Sequence, residues 1–115
     1  MHVESITRDA LLVILRNHIG RARGVTVTAL AREVLGYEPS RVDERIVRRL
    51  VVELRCEGHH VCAHPADGYY LAETPEELDQ TIAFLRDRAM ASLQQIASMK
   101  RTSLPDLVGQ LRLPT

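Results

Sequence analysis

A change of hydrophobic period at Gly58 is the feature that most constrains the fold of this chain. The residues before it carry apolar side chains at spacing i, i+3, i+4 and i+7, namely Val47, Leu50, Val51 and Leu54. This spacing predicts a helix with one buried face. After Gly58 apolar and polar residues alternate, "HPADG" has the composition of a turn, and "YYLA" is typical of a returning strand. The sequence therefore predicts a helix followed directly by a β-hairpin.

Shorter helices are predicted upstream. The first covers residues 6–19, with Ser5 or Thr7 as its N-cap, and its apolar face consists of Leu11, Leu12, Leu15 and Ile19. The segment "GRARGVTV" is rich in glycine and predicts a turn. In the second helix Thr28 is the expected cap of residues 29–35. The third helix, residues 41–57, is expected to begin after Ser40, since Pro39 disfavours helix at the residue before it.

The last long helix has a clear start signal in "TPEE". Thr74 suits the N-cap, Pro75 the first helical position, and Glu77 completes a capping box. The helix is expected to reach about Lys100, and its apolar stripe consists of Leu78, Ile82, Leu85, Ala89, Leu93 and Ile96. The predicted organisation is residues 1–72 as one domain, 73–101 as a long helix, and 102–115 as a tail with a possible short helix near Pro105.

The stretches "VTVTALAREVLG" and "RIVRRLVVELRCEGHHVCAHPADGYYLA" together resemble the winged helix-turn-helix domain of the biotin-repressor type. The resemblance covers residues 8–72 and rests on Arg48, Leu54, Gly58 and the Gly68–Tyr69 pair. The continuation, with "LPDLVGQL", is similar to small winged-helix proteins of phages and prophages. This resemblance implies a mainly α fold with a small β-hairpin, a winged helix-turn-helix followed by a long C-terminal helix. Tyr69 is expected to fill the gap between hairpin and helices.

The arginine-rich side of the third helix is the main functional signal, because the second helix of a helix-turn-helix enters the major groove of DNA. Arginine forks suit guanine and phosphate, and hydroxyls at helix N-termini suit phosphate. The predicted DNA-binding residues are Thr28, Ser40, Arg41, Glu44, Arg45, Arg48, Arg49 and His64. The alternative is a solvated face on which Asp43, Glu44 and Glu53 pair with these arginines at i, i+4.

Histidines and cysteines crowd around the predicted hairpin. His60, Cys62 and His64 would share one strand face, but neighbours on that face lie roughly 7 Å apart and lack the spacing of strong zinc sites. We expect Val61 to pack on the core, its polar neighbours to face solvent, and Cys56 to be half-buried. No metal or other cofactor is expected, with a His60, Cys62 and His64 site as the alternative. Without a visible third catalytic group, the chain is not expected to be an enzyme.

Charge and composition limit the mode of binding. The chain has 15 basic and 15 acidic residues, so affinity for DNA through bulk charge should be weak. The hairpin turn carries no Arg or Lys, and Asp67 there would repel phosphate. Two copies on one site would compensate, so we expect a homodimer formed through the stripe of the long helix. We expect no membrane segment and a cytoplasmic location, given the short apolar runs and absence of a signal-peptide pattern.

The leading interpretation is thus a sequence-specific protein that binds double-stranded DNA as a dimer. It would act as a transcriptional regulator of a phage or prophage, or as an accessory to replication or recombination. The alternative interpretation is a winged-helix protein-interaction module that does not bind DNA. In that case the arginines of the third helix are only solvated, and the long helix makes the functional contacts.

Overall fold

The computed structural model describes residues 6–100, which form a mainly helical chain with one antiparallel hairpin and a long C-terminal helix, as predicted. The elements in order are α1 (Arg8–Leu15), a 3₁₀ turn (Arg21–Arg23), α2 (Val27–Leu35), α3 (Arg41–Cys56), β1 (Val61–His64), β2 (Gly68–Leu71) and α4 (Pro75–Lys100). The chain divides into two compact units, Met1–Thr81 and Ile82–Thr115. The possible cap at Ser5 and the short helix near Pro105 lie outside the described residues.

Helix α1 is shorter than its sequence pattern indicates. Thr7 caps it, with its hydroxyl accepting from the Ala10 N–H at 3.1 Å, but the helix ends at Leu15 and the prediction of helix to Ile19 was wrong. The reason is tertiary: the Leu71 N–H donates to the His18 carbonyl, and the Gly20 N–H donates to the Leu71 carbonyl, both at 2.8 Å. Pairing with β2 takes this backbone out of the helix.

The N-cap of helix α2 lies two residues before the predicted one. Thr26 accepts a hydrogen bond from the Ala29 N–H at 3.1 Å, so the prediction of Thr28 as N-cap was wrong. Val25 explains the difference, because it exchanges backbone hydrogen bonds with Tyr69 at 2.9 and 2.7 Å and is therefore extended. The chain can turn into a helix only after Val25, and Thr26 is the first residue free to cap it.

Helix α3 matches its sequence pattern closely. Ser40 and Asp43 form a reciprocal capping box at its start, and Gly58 follows its end with φ +97°. The predicted stripe is buried, with exposed fractions of 4% or less for Val47, Leu50, Val51 and Leu54. This stripe packs against apolar side chains of α1, α2 and β1, namely Leu11, Leu15, Leu30, Ala31 and Val61. The core of the first unit is therefore built around α3.

The hairpin is covered on both faces, contrary to the prediction that one face meets solvent. Val61 and Tyr69 pack on the helical core, as expected. Cys62 and Tyr70 are directly paired across the strands and are 0% and 1% exposed. They lie on the other face, where Thr81 near the start of α4 is also buried and accepts from the Ala63 N–H at 3.4 Å. The prediction that Cys62 faces solvent was therefore wrong.

The base of α4 is fixed to the rest of the first unit by Glu77. The Glu77 N–H donates to the Thr74 hydroxyl at 3.2 Å, as the capping signal predicts. Its carboxylate accepts from the Arg21 N–H at 3.0 Å and from the Glu73 N–H at 2.8 Å. These backbone donors lower the pKa of Glu77. One carboxylate thus connects the start of α4 with the 3₁₀ turn.

Two glycines allow the hairpin turn and the segment before α2 to touch backbone to backbone. A Cβ at Gly68, where φ is +81°, would lie 2.2 Å from the Val25 carbonyl oxygen. A Cβ at Gly24 would lie 2.1 Å from the Asp67 carbonyl oxygen. Neither distance is compatible with a side chain, so this contact requires glycine on both sides.

In the second unit the structure describes the part of α4 from Ile82 to Lys100. Leu93 is 3% exposed, whereas other apolar side chains are open to solvent, namely Ile82, Phe84, Leu85, Ile96 and Met99. The Arg88 guanidinium lies 5.8 Å from the centroid of the Phe84 ring. Within the described part of the chain, no helix combines the length and apolar composition that a membrane span requires.

Candidate nucleic-acid interface

The outer face of α3, which is the side opposite its buried stripe, carries the exposed residues Arg41, Arg45, Arg48 and Arg49. At 100° per residue, Arg41 and Arg45 project from the side opposite the buried stripe, and both residues are exposed. Within residues 6–100, neither guanidinium has a hydrogen bond or ion pair. Arginine carries its charge at all physiological pH values. The face therefore presents two cations that the fold does not use.

Arg48 and Arg49 lie on the same side of α3 but have carboxylate neighbours. Arg48 lies 4.0 Å from Glu44, and Arg49 lies 3.4 Å from Glu53, each at i, i+4 spacing. Both arginine side chains keep more than half of their surface exposed, at 56% and 57%. Exposed pairs of this kind contribute little to stability. The predicted solvated pairing thus exists for these two arginines, and it does not extend to Arg41 and Arg45.

The acidic residues at the start of α3 have structural partners. Asp43 accepts from the Ser40 N–H and hydroxyl at 2.9 and 3.0 Å, so it is occupied by the cap and does not pair with an arginine. Glu44 is only 21% exposed beside Arg48. The negative charge close to Arg41 and Arg45 is therefore largely engaged.

The predicted hydroxyl contacts need one correction. Thr28 lies inside α2, at its second residue, and does not stand at the helix N-terminus. Thr26 occupies that position instead; it is an exposed residue, and its hydroxyl accepts from the Ala29 N–H. Ser40 is exposed at the N-terminus of α3, as predicted. The helix ends suitable for phosphate are thus marked by Thr26 and Ser40.

The guanidinium of Arg21, which is distant in sequence, contacts the side chains of the hairpin turn. Arg21 Nε lies 2.5 Å from Asp67 Oδ2, and Arg21 Nη2 lies 2.8 Å from His64 Nε2. This guanidinium lowers the pKa of Asp67. Asp67 was predicted to repel phosphate, and Arg21 offsets that charge. Sequence reasoning missed Arg21, and the available signal was the glycine on either side of "RAR", which permits the close approach at Gly24.

The His/Cys cluster is divided among different environments. Cys62 is buried with its Sγ 3.7 Å from the Glu77 carbonyl oxygen, and burial raises the pKa of its thiol. His60 is exposed, and His64 is engaged with Arg21. Among residues 6–100, no three His, Cys, Asp or Glu side chains are grouped so as to hold a metal ion. Cys56, predicted to be half-buried, is exposed at the end of α3.

A polar link that sequence reasoning missed holds α2 to the segment before it. His18 Nε2 lies 2.8 Å from Glu33 Oε2, and His18 Nδ1 lies 2.8 Å from the Arg23 carbonyl oxygen. Burial lowers the pKa of His18, but the hydrogen bonds to Glu33 and Arg23 and the charge of Glu33 outweigh it, so the net shift is upward. Both neighbours are acceptors, which favours the doubly protonated ring.

No family model, curated protein or solved structure matches this chain.

Proposed function

We propose that this chain is a winged helix-turn-helix protein that binds double-stranded DNA in a sequence-specific manner. The order of the elements supports this proposal: α1, α2 and α3 are followed by the hairpin, so that α3 would be the second helix of the helix-turn-helix pair. The observation that carries the proposal is the pair of exposed guanidiniums of Arg41 and Arg45, which have no partner within residues 6–100. Their placement opposite the core leaves them available to a duplex.

In this proposal the N-terminal half of α3 enters the major groove. Arg45 donates its two forked N–H groups to O6 and N7 of a guanine, and Arg41 contacts a backbone phosphate. Arg48 and Arg49 exchange their exposed carboxylate neighbours for phosphates, which costs little because such surface pairs are weak. The helix N-termini at Thr26 and Ser40 add backbone N–H donors for phosphate.

A homodimer is part of this proposal, because a chain of zero net charge gains little affinity from non-specific attraction. The apolar side chains open to a second copy in the second unit are Ile82, Leu85 and Ile96, each close to 40% exposed, with the small Ala89 between them. Leu93 is almost fully covered and adds little to this surface. Regulation of phage or prophage transcription, or an accessory part in replication or recombination, is the proposed role.

One observation favours a second candidate, a protein-interaction module. Besides the stripe, α4 exposes Met99 at 86% and Phe84 at 46%, so apolar surface lies on more than one side of this helix. Surface of this kind marks contacts with other proteins. On this alternative the ligand is a protein bound along α4, and the arginines of α3 are not involved.

The test of DNA binding begins with selection of duplexes from a random library by the purified full-length chain at moderate salt. Arg45→Glu should abolish binding to the selected duplex, because a carboxylate replaces the guanine donor. Arg16→Glu is the matched control, with the same change in net charge at another exposed residue, and should retain most of the affinity. If no duplex is enriched, the protein-interaction alternative is favoured. If a duplex is enriched but both variants bind it equally, Arg45 is not part of the interface.

Dimerisation is tested by sedimentation of the full-length chain. Truncation after Ala72 is unsuitable, because the residues that cover Cys62 and Tyr70 would be lost with α4. Leu85→Glu should convert the dimer to a monomer, since it places a charge within the apolar stripe. Ala83→Glu changes an exposed residue on another side of α4 and should leave the dimer intact. A dimer that survives Leu85→Glu would exclude this surface.

A further inference from the structure

Two valines on the outer face of α3 have no function in the fold. Val42 is 60% exposed and Val52 is 56% exposed, and neither belongs to the apolar core. Valine is a poorer helix former than alanine or the long polar residues, because its branched side chain loses rotamer freedom. An exposed valine in α3 therefore stabilises neither the helix nor the core.

Val42 has charged neighbours that specify the kind of partner. It lies in the first turn of α3, directly after Arg41 and three residues before Arg45. Residues at i and i+3 are neighbours on a helix surface. The isopropyl group thus has the exposed Arg45 as a neighbour on the helix surface, and Arg41 directly precedes it in the chain. Neither guanidinium has a partner in the part of the chain that the structure describes. An anionic ligand that also offers an apolar group at close range fits this combination.

We propose that Val42 is a specificity-determining residue that packs against the 5-methyl group of a thymine beside the guanine read by Arg45. This inference rests on the proposed DNA-binding function. The thymine methyl is the apolar group that the four base pairs display in the major groove, and small apolar side chains recognise it by contact. The phosphates on either side supply the anionic partner for Arg41.

Val52 provides a control within the same helix. Its exposure is close to that of Val42, but it lies ten residues further along α3, about 15 Å at 1.5 Å per residue. A thymine in contact with Val42 is therefore out of reach of Val52. Substitution of either valine by alanine should leave the fold intact, which a thermal melt of each variant verifies before binding is measured.

The experiment uses the duplex selected by the wild-type chain and replaces each thymine in turn by deoxyuridine, which lacks only the methyl group. One replacement should weaken binding of the wild type about fourfold, the value for loss of one buried methyl contact. Val42→Ala should bind the unmodified duplex about as weakly and should no longer distinguish thymine from deoxyuridine at that position. Val52→Ala should behave as the wild type does.

The outcomes separate this inference from the function on which it rests. A duplex that binds tightly and depends on Arg45, but is indifferent to every thymine methyl, overturns the role of Val42 alone. A deoxyuridine effect of the same size in Val42→Ala also overturns it, because the effect then arises from DNA shape. Failure to enrich any duplex overturns the DNA-binding function together with this inference.

Discussion

The two faces of α3 differ in almost every physical respect. The inner face is apolar and sealed, with Val47 and Leu54 exposed by 0% and 1%. The outer face carries Arg41 and Arg45 beside the exposed Val42 and Val52. Burial of apolar area is the main source of folding stability, and the outer face provides none. One helix therefore holds the first unit together on one side and leaves its other side exposed to solvent.

The largest contrast is expected between the two cysteines, since Cys56 ends the outer face and Cys62 is enclosed beside Glu77. A thiol reagent should label Cys56 of the native chain rapidly. Labelling of Cys62 should be slower by about a thousandfold or more, because it requires opening of the structure and because burial raises the pKa of its thiol. A Cys56→Ser variant isolates the slow reaction, and rapid labelling of that variant would contradict the enclosed position of Cys62.

Truncation of a side chain should lower the free energy of unfolding far more on the inner face of α3 than on the outer face. Leu54→Ala removes a fully buried side chain and should lower the free energy of unfolding by about 3 kcal/mol. Val52→Ala, two residues earlier on the outer face, should change it by less than about 0.5 kcal/mol. Urea unfolding of both variants measures the difference. Equal losses would mean that the outer face is also covered.

Within the outer face, the arginines should differ in how much each contributes to affinity for the selected duplex. Arg45→Ala should weaken binding of the selected duplex about tenfold, the cost of one lost bidentate base contact. Arg48→Ala should have a smaller effect, because Glu44 already competes for this guanidinium in the free protein. Fluorescence anisotropy titrations at two salt concentrations give both values. An effect at Arg48 equal to or above that at Arg45 would shift the interface toward the middle of α3.

Loss of the polar link at His18 should lower the free energy of unfolding by less than loss of a buried apolar side chain of α3 does. The pKa of His18 is raised on folding, so its stabilising contribution is complete below the unfolded value of about 6.5. The contribution is lost as pH rises through the higher folded value. His18→Gln should therefore cost about 1 kcal/mol of unfolding free energy at pH 5.5 and less at pH 8.5.

Urea unfolding at the two pH values provides the measurement, and Glu33→Gln should reproduce the same dependence on pH. A loss in His18→Gln that does not change with pH would show that the ring acts through packing and not through its charge.

The sequence predicted those features that depend on local pattern. The stripe of α3, the cap at Ser40 and the hairpin after Gly58 follow from periodicity, capping chemistry and turn composition, and all are present. The start of α4 was equally predictable, because Thr74 and Pro75 of "TPEE" are residue types preferred at the N-cap and at the first position of a helix.

The features that the sequence did not predict arise from contacts between distant segments. Helix α1 ends early because the backbone of His18 and Gly20 forms hydrogen bonds with Leu71 of β2. Thr26 is the cap of α2 in place of Thr28 because Val25 pairs with Tyr69. Cys62 is buried because the start of α4 covers the hairpin, which strand alternation alone does not reveal. Arg21 reaches Asp67 across 46 positions of sequence. In each case a tertiary contact overrides a correct local rule.

The close approach of Gly24 to Asp67 and of Gly68 to Val25 has a consequence for how this chain can vary. Since each lacks room for even a methyl group, neither position can accept alanine unless the hairpin turn and the segment preceding α2 separate. A saturation library screened for folded protein should retain only glycine at these two positions, although neither glycine belongs to α3. Descendants of this sequence would then be recognisable by that invariant pair even where the outer face of α3 has diverged.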